Sequence, residues 1–273
     1  MAKDIHEKLA DLNAYLHELG RVAVAFSGGV DSTFLLKVAH DALGDNAVAF
    51  TASSVFVPER DVDEARAFCE QEGIRHIVKQ FDTLGIEGIR SNPENRCYLC
   101  KQALFQQFKE LAAQQGLAAV VDGSNLDDDG DYRPGRRALK ELGIKSPLHR
   151  AGMTKQDIRD LSRELQLQTW SKPSFACLAS RFVYGEELTA EKLQQVNRAE
   201  EFLLAKGFAQ FRVRRHGNLA RIELLPQDID RFMEAGLRDE VAAKFREIGF
   251  DYVTMDLLGY RTGSMNETLT DKE

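Results

Sequence analysis

The sequence predicts an α/β domain built on a parallel sheet, followed by a smaller α+β domain. Three observations carry this. Short apolar runs alternate with helical patterns through the first half, as βαβ units require. The run Val22, Ala23, Val24, Ala25, Phe26 is continuously apolar, as a strand buried on both faces must be. After about residue 185 the order changes to helix, two short strands around a tight turn, helix and strand.

Taken in order, residues 5–19 place Ile5, Leu9, Leu12, Leu16 and Leu19 at helical spacing. Residues 22–26 form the first strand, 32–43 a helix, 47–51 a strand and 59–72 a helix. Residues 76–79 read as a strand, 101–115 as a helix, 118–122 as a strand and 158–167 as the last helix of this region. Right-handed crossovers place the helices on both sheet faces. Residues 170–185 hold Pro173, Cys177 and Arg181 and read as an irregular, site-bearing connection. Then come a helix at 189–206 and strands at 211–216 and 219–224, with His216, Gly217 and Asn218 as the hairpin turn. Helical patterns cover 227–248, a closing strand spans 252–257, and the polar tail after Asn266 is expected to fray. The expected domains are residues 1–185 and 186–273.

Composition bounds the function classes. The 273 residues are 43% hydrophobic and 29% charged, ordinary for a chain that buries a core. No apolar run reaches the roughly 20 residues of a membrane helix, and the N-terminus has no apolar signal core, so the expected compartment is the cytoplasm. A net charge of −7 argues against bulk attraction to nucleic acid or anionic membrane. Four cysteines, Cys69, Cys97, Cys100 and Cys177, point in a reducing compartment to metal binding or catalysis rather than disulfides.

Directly after the first strand stands Ser27-Gly28-Gly29-Val30-Asp31-Ser32. Glycines let the backbone approach an anion, and the amides that open the next helix point at it. Ser27 and Ser32 add hydroxyl donors, and Asp31 is placed to hold a divalent cation against phosphate oxygens. The lysine of a Walker loop and the spacing of a dinucleotide fingerprint are both absent. The plainer reading is a glycine-rich turn joining strand to helix.

The hexapeptide resembles the pyrophosphate-binding loop of the N-type ATP pyrophosphatases, the PP-loop superfamily of GMP synthetases, NAD synthetases and tRNA thiolases. The resemblance covers about residues 20–180. It implies an adenine nucleotide alpha hydrolase-like domain that cuts ATP to AMP and pyrophosphate with Mg²⁺, adenylating a substrate oxygen. It also implies that the end of the second strand, Phe50-Thr51-Ala52-Ser53, lies near adenine. Asp122-Gly123-Ser124-Asn125-Leu126-Asp127-Asp128 matches the superfamily's strand-end pattern, which makes Gly123 and Asn125 nucleotide contacts; its acidic residues could equally form a solvated turn.

Cys97-Tyr98-Leu99-Cys100 brings two sulfurs to one point, which suits redox exchange, zinc or an iron–sulfur cluster. Cys69 sits on an amphipathic helix, where packing as a small hydrophobe is the expected role. With Cys177, three thiolates and an open fourth position fit a cluster with one iron able to take an external ligand. Three unrelated thiols are the alternative.

The local sequences 93–101, Asp131-Tyr132-Arg133-Pro134-Gly135, and Cys177 to Phe182 with Tyr184-Gly185 resemble the LarE family. Arg212-Val213-Arg214 and residues 256–261 extend that resemblance over nearly the full length. These are ATP-dependent sulfur transferases of nickel-pincer nucleotide cofactor synthesis. The resemblance implies adenylation of a carboxylate on pyridinium-3,5-biscarboxylic acid mononucleotide, then sulfur insertion, performed twice. Some members sacrifice the sulfur of a single cysteine in the Cys177 region, leaving dehydroalanine. Others hold a [4Fe-4S] cluster on three cysteines, and this chain has the three-cysteine pattern. Trimer-based homo-oligomers, hexamers among them, are expected; the sulfide donor is unspecified.

In residue terms, Ser27, Gly28, Gly29, Asp31 and Ser32 are expected on pyrophosphate and Mg²⁺, with Ala52 and Ser53 near adenine. Cys97, Cys100 and Cys177 are expected on the cluster. Arg181 is a candidate for bidentate phosphate or carboxylate binding, with an ion pair as the alternative. Arg212 and Arg214, two apart on a strand, share one face and form a candidate phosphate clamp, or a solvated face. Glu200 is a weaker candidate that the resemblance brings near the same site. The rivals are a tRNA thiolase with Arg215 and Arg221 joining the arginines on RNA, an amidotransferase-like ligase, which leaves the cysteines unexplained, and a nucleotide sensor without chemistry.

Overall fold

The computed structural model describes residues 3–130, 134–173, 176–261 and 263–264. The chain forms two compact units, residues 1–86 with 95–174, and residues 87–94 with 175–273.

The first unit is α/β. Helix α1 (Ile5–Leu19) starts at a reciprocal cap in which Asp4 accepts from the His6 N–H and Glu7 accepts from the Asp4 N–H. Then follow β1 (Val22–Ala25), α2 (Val30–Leu43), β2 (Ala47–Ser53), α3 (Glu59–Glu72), β3 (His76–Gln80), α4 (Arg96–Gln114) and β4 (Ala119–Val121). Three short helices close the unit: α5 (Pro134–Glu141), α6 (Pro147–Arg150) and α7 (Lys155–Glu164). The four strands lie in the order β3-β2-β1-β4, all parallel. Val22, Val24, Phe34, Leu35, Ala49 and Leu161 pack on one face, and Ala23, Val48, Phe50, Phe105 and Phe108 on the other. That double burial is why β1 reads as an unbroken apolar run. Chain direction reverses its progress across the sheet between β1 and β4, the switch point where open α/β sheets bind ligands at their strand C-termini.

Local structure departs from the sequence pattern at several points. Helix α4 begins at Arg96, not Lys101, so the C-x-x-C pair lies on its first turn. Helices α5 and α6 have no clear signal in the sequence, because each opens on a proline, which marks a helix start as readily as a break. The strand expected over 118–122 shortens to β4.

In the second unit, α8 (Ala190–Ala205) precedes the antiparallel hairpin β5 (Phe211–His216) and β6 (Leu219–Leu224). Gly217, at φ +58°, and Asn218 make the turn. The single helical stretch expected over 227–248 is two helices, α9 (Pro226–Phe232) and α10 (Ala235–Ile248), separated at Met233 and Glu234. Strand β7 (Tyr252–Met255) ends before residue 257 and pairs parallel with β6. Residues 175–185 group with this unit, as do residues 87–94. Gly185 N–H donates to the Asn92 carbonyl at 3.0 Å and Leu188 N–H to that of Arg90 at 2.8 Å. The buried Asn92 amide donates to the carbonyls of Phe182 and Val183. The tail after residue 264 lies outside the described residues.

Candidate active site

Strand β1 delivers the chain into Ser27–Ser32, and α2 starts at once with Gly29 as its cap. Gly28 takes φ +69°, a left-handed conformation that costs a Cβ-bearing residue about 1 kcal/mol or more. The Ser27 N–H donates to Ser32 Oγ (3.3 Å), Ser32 Oγ donates to the Gly29 carbonyl (3.2 Å), and the two serine hydroxyls lie 3.1 Å apart. The turn is thus tied shut by its own serines, with the first amides of α2 at its mouth.

Asp31 stands in the first turn of α2. One carboxylate oxygen accepts from Lys155 Nζ; the other, Oδ1, is buried and has no hydrogen-bond partner among the described residues. A buried, unsatisfied carboxylate oxygen beside an anion loop is the chemistry of a divalent-cation ligand, so the residues fit Mg²⁺. Lys155 opens α7, whose cap is Thr154, and its N–H donates to Asp127 Oδ2 at 2.7 Å. A second lysine, Lys172, donates to the Gly28 carbonyl (3.0 Å) and to Glu64 (2.6 Å). Sequence reasoning missed both lysines, which come from 124 and 144 residues further along the chain.

The strand-end loops meet at the same place. A Cβ on Gly123 would lie 3.1 Å from the Ser32 amide nitrogen and 3.3 Å from Asp31 Cβ, so glycine is needed for close approach. Asn125 is buried, and its Oδ1 accepts from the Asp127 N–H while its own N–H donates to Asp128 Oδ2. The acidic run therefore shapes the loop and caps α7; of its members, Asp129 pairs with Arg136 and His149. Ala52 and Ser53 end β2, one strand from β1. Beneath them, Thr51 Oγ1 donates to the Phe26 carbonyl (2.7 Å) and accepts from His76 Nε2 (2.8 Å). Burial, with Arg66 nearby, pushes the His76 imidazole below its ordinary value.

Cys97 and Cys100 lie one turn apart on α4, the first exposed and the second half-buried, and neither is in a disulfide. Tyr98 between them donates to Glu141 (2.7 Å), with Arg137 stacked 4.0 Å from its ring centre. Helix α5 presses on this turn: a Cβ on Gly135 would lie 2.7 Å from Lys101 Cδ and 3.3 Å from the Cys97 carbonyl oxygen. Asp131, Tyr132 and Arg133, expected beside Gly135, fall outside the described residues. Burial alone pushes the Cys69 thiol up to about 12, which keeps it inert.

In the second unit Cys177 precedes a 3-10 turn, Leu178–Arg181, and its carbonyl accepts from the Ser180 N–H, Ser180 Oγ and Arg181 Nη1. The Arg181 fork is spent on Glu200, two bonds of 2.9 Å with both side chains essentially buried. Burial pushes the Glu200 carboxyl up, but Arg181 outweighs it and holds Glu200 below the usual carboxylate range. Arg214 likewise grips Glu223 at 3.1 and 3.0 Å, and also donates to the Ser180 carbonyl and Ser264. Arg212 donates to the Phe211 carbonyl and lies over the Tyr260 ring, 5.1 Å from its centre. Burial and the neighbouring Arg181 push its guanidinium down to about 10, still charged at neutral pH. Among the described residues no three His, Cys, Asp or Glu side chains form a ready metal-binding group. None of the described helices is long and apolar enough to cross a membrane.

The family profile described as NAD synthase matches residues 5–94. An uncharacterised protein of Synechocystis sp. is 46% identical over 266 residues, 97% of this chain and 99% of that one. The pyridinium-3,5-bisthiocarboxylic acid mononucleotide synthase of Lactiplantibacillus plantarum is 41% identical over 264 residues, 96% of this chain and 95% of that one. An uncharacterised protein of Methanocaldococcus jannaschii is 31% identical over 242 residues, 89% of this chain and 91% of that one.

Proposed function

The chain belongs to the pyridinium-3,5-bisthiocarboxylic acid mononucleotide synthase family, the LarE family of PP-loop enzymes, and on that premise we propose that it is an ATP-dependent sulfurtransferase converting the carboxylates of pyridinium-3,5-biscarboxylic acid mononucleotide to thiocarboxylates. The observation that carries the ATP half is the anion loop, tied by its two serines, with the unsatisfied Asp31 oxygen in the first turn of the helix that follows.

Amides of Gly29, Val30 and Asp31 bind phosphate oxygens, and Asp31 Oδ1 holds the cation that accompanies ATP. A substrate carboxylate oxygen attacks the α-phosphorus, the bond to the β-phosphate oxygen breaks, and pyrophosphate leaves. Lys155 neutralises that leaving group, the task that a lysine inside a Walker loop performs. Sulfide then attacks the carbonyl carbon of the acyl-adenylate and AMP departs; a second round treats the other carboxylate. Ala52, Ser53, Gly123 and Asn125 line the nucleotide's strand-end cradle.

Three unbridged thiols, two of them one helical turn apart, are the donor set that an iron–sulfur cluster takes. Cys97, Cys100 and Cys177 would hold a [4Fe-4S] cluster whose fourth iron, when the cluster is bound, supplies a place for the external sulfide. Arg181 and Glu200 fix the Cys177 backbone. Arg212 takes the mononucleotide phosphate: its charge is disfavoured by Arg181, and an anion beside it relieves that. Arg214, engaged on Glu223, holds the strand that presents it.

Iron, acid-labile sulfide and substrate-dependent pyrophosphate release, measured on protein purified without oxygen, test this reading. About four irons per chain, lost in Cys97→Ala, with pyrophosphate formed only when the mononucleotide is added, are expected. No iron after anaerobic reconstitution, with one turnover per chain and Cys177 converted to dehydroalanine, replaces the cluster with a sacrificial cysteine. A salt-sensitive shift of tRNA in a gel revives the thiolase.

A further inference from the structure

We infer that Lys172, steadied by Glu64, is a positioning residue that locks the Gly28–Gly29 peptide of the anion loop with its N–H turned toward the nucleotide; this rests on the ATP reading of that loop. A peptide bond flanked by two glycines is the least restrained in the turn, since neither side has a Cβ to oppose rotation of the plane. A turn that must bind phosphate through that N–H needs the plane held by something else. The structure supplies a holder on the opposite side. In a trans peptide the carbonyl and the N–H point in opposite directions. The Gly28 carbonyl accepts from Lys172 Nζ at 3.0 Å, which turns the Gly29 N–H away from Lys172.

The holder is itself fixed. Lys172 Nζ also donates to Glu64 on α3 at 2.6 Å, and the Lys172 and Trp170 carbonyls both accept from the Arg159 guanidinium on α7. Helix α3 backs the same glycine: a Cβ on Gly28 would lie 3.6 Å from the Asp61 carbonyl oxygen and 3.9 Å from Ala65 Cβ. The Lys172 ammonium therefore acts on the nucleotide through a backbone amide, whereas Lys155 reaches the loop through Asp31.

The sequence offers a direct probe, because Gly28-Gly29 is its one Gly-Gly pair. Protein labelled with carbonyl-¹³C, ¹⁵N-glycine gives a single correlation between a glycine carbonyl and a following glycine amide, and that peak reports the peptide itself. In nucleotide-free protein the expected result is one sharp peak for the wild type and for Lys172→Arg. Lys172→Met is expected to shift or double it, with affinity for Mg²⁺-pyrophosphate by calorimetry falling about tenfold, the size of one lost charge-assisted hydrogen bond. Lys172→Met with an unmoved peak overturns the inference, whether affinity falls, which makes the ammonium a direct phosphate contact, or holds. Wild-type protein that fails to bind Mg²⁺-pyrophosphate removes the ATP reading instead, while the peak comparison still decides the clamp.

Discussion

The two units handle charge in opposite ways. Around the anion loop of the first unit, the ions are partly exposed and loosely matched: Asp31 keeps one oxygen unsatisfied, and Lys155 and Lys172 reach it from solvent-accessible positions. In the second unit, Arg181 and Arg214 are buried and each is clasped by a carboxylate, Glu200 or Glu223, with no exposed surface at either acid. The first arrangement leaves bonding capacity for a ligand; the second consumes it to hold the fold. Arginines in a pattern that suggests a binding face are thus poor witnesses to binding until their partners are known.

Substitutions that separate activity from stability put this contrast at risk. The largest effect is expected at Asp31→Ala, which should cut pyrophosphate release by at least about 100-fold, as loss of a charge-stabilising group in a preorganised site does. Its half-exposed pairing with Lys155 adds under about 1 kcal/mol, so the denaturant midpoint should barely move. Glu200→Gln is the mirror case. It strands a buried guanidinium and should cost about 3–5 kcal/mol in chemical denaturation, while pyrophosphate binding at the loop persists in whatever stays folded. Equal losses of stability from the two changes would erase the distinction.

A smaller effect is expected in the pH dependence of stability. The His76 imidazole is held below 6.5, so the unfolded chain binds the proton first; the stability His76 gives is complete above 6.5 and declines as pH falls. Glu200 is held below 4.5, so its contribution is complete above 4.5 and is lost only as pH drops toward its folded value. The unfolding midpoint should fall in two steps; His216, also held below 6.5 by burial, adds to the upper one, which should shrink in His76→Gln. A single step beginning below 4.5 contradicts the assignment of His76.

The same contrast explains what the sequence discloses. The anion loop is legible because its chemistry lies in consecutive residues: an apolar strand, two glycines, two hydroxyls and an acid. Lys155 and Lys172 are not, since no local pattern connects them to residues 28 and 31. The arginines are intermediate. The hairpin turn at 216–218 already sets Arg212 opposite Glu223 and Arg214 opposite Arg221. Which guanidinium takes the carboxylate is decided by packing, and Glu223 is taken by Arg214 and Arg221. Arg181 and Glu200 are joined by a turn and a helix whose meeting no spacing encodes. Likewise the helix boundary at Arg96 was hidden because a C-x-x-C pair has no helical signature of its own.

The route of the chain through residues 87–94 has a consequence in time. These eight residues leave the ribosome in the middle of the first unit, yet two acceptors of the buried Asn92 amide, the carbonyls of Phe182 and Val183, are made about ninety residues later. At the rates of protein synthesis, roughly 5–20 residues per second, the segment waits several seconds before those carbonyls exist. The first unit's sheet can assemble during that wait, but the loop before α4 cannot settle. The turn carrying Cys97 and Cys100 does not share that wait, because Tyr98 finds Glu141 only 43 residues on; a chain cut after residue 174 would keep that contact and lose the partners of residues 87–94.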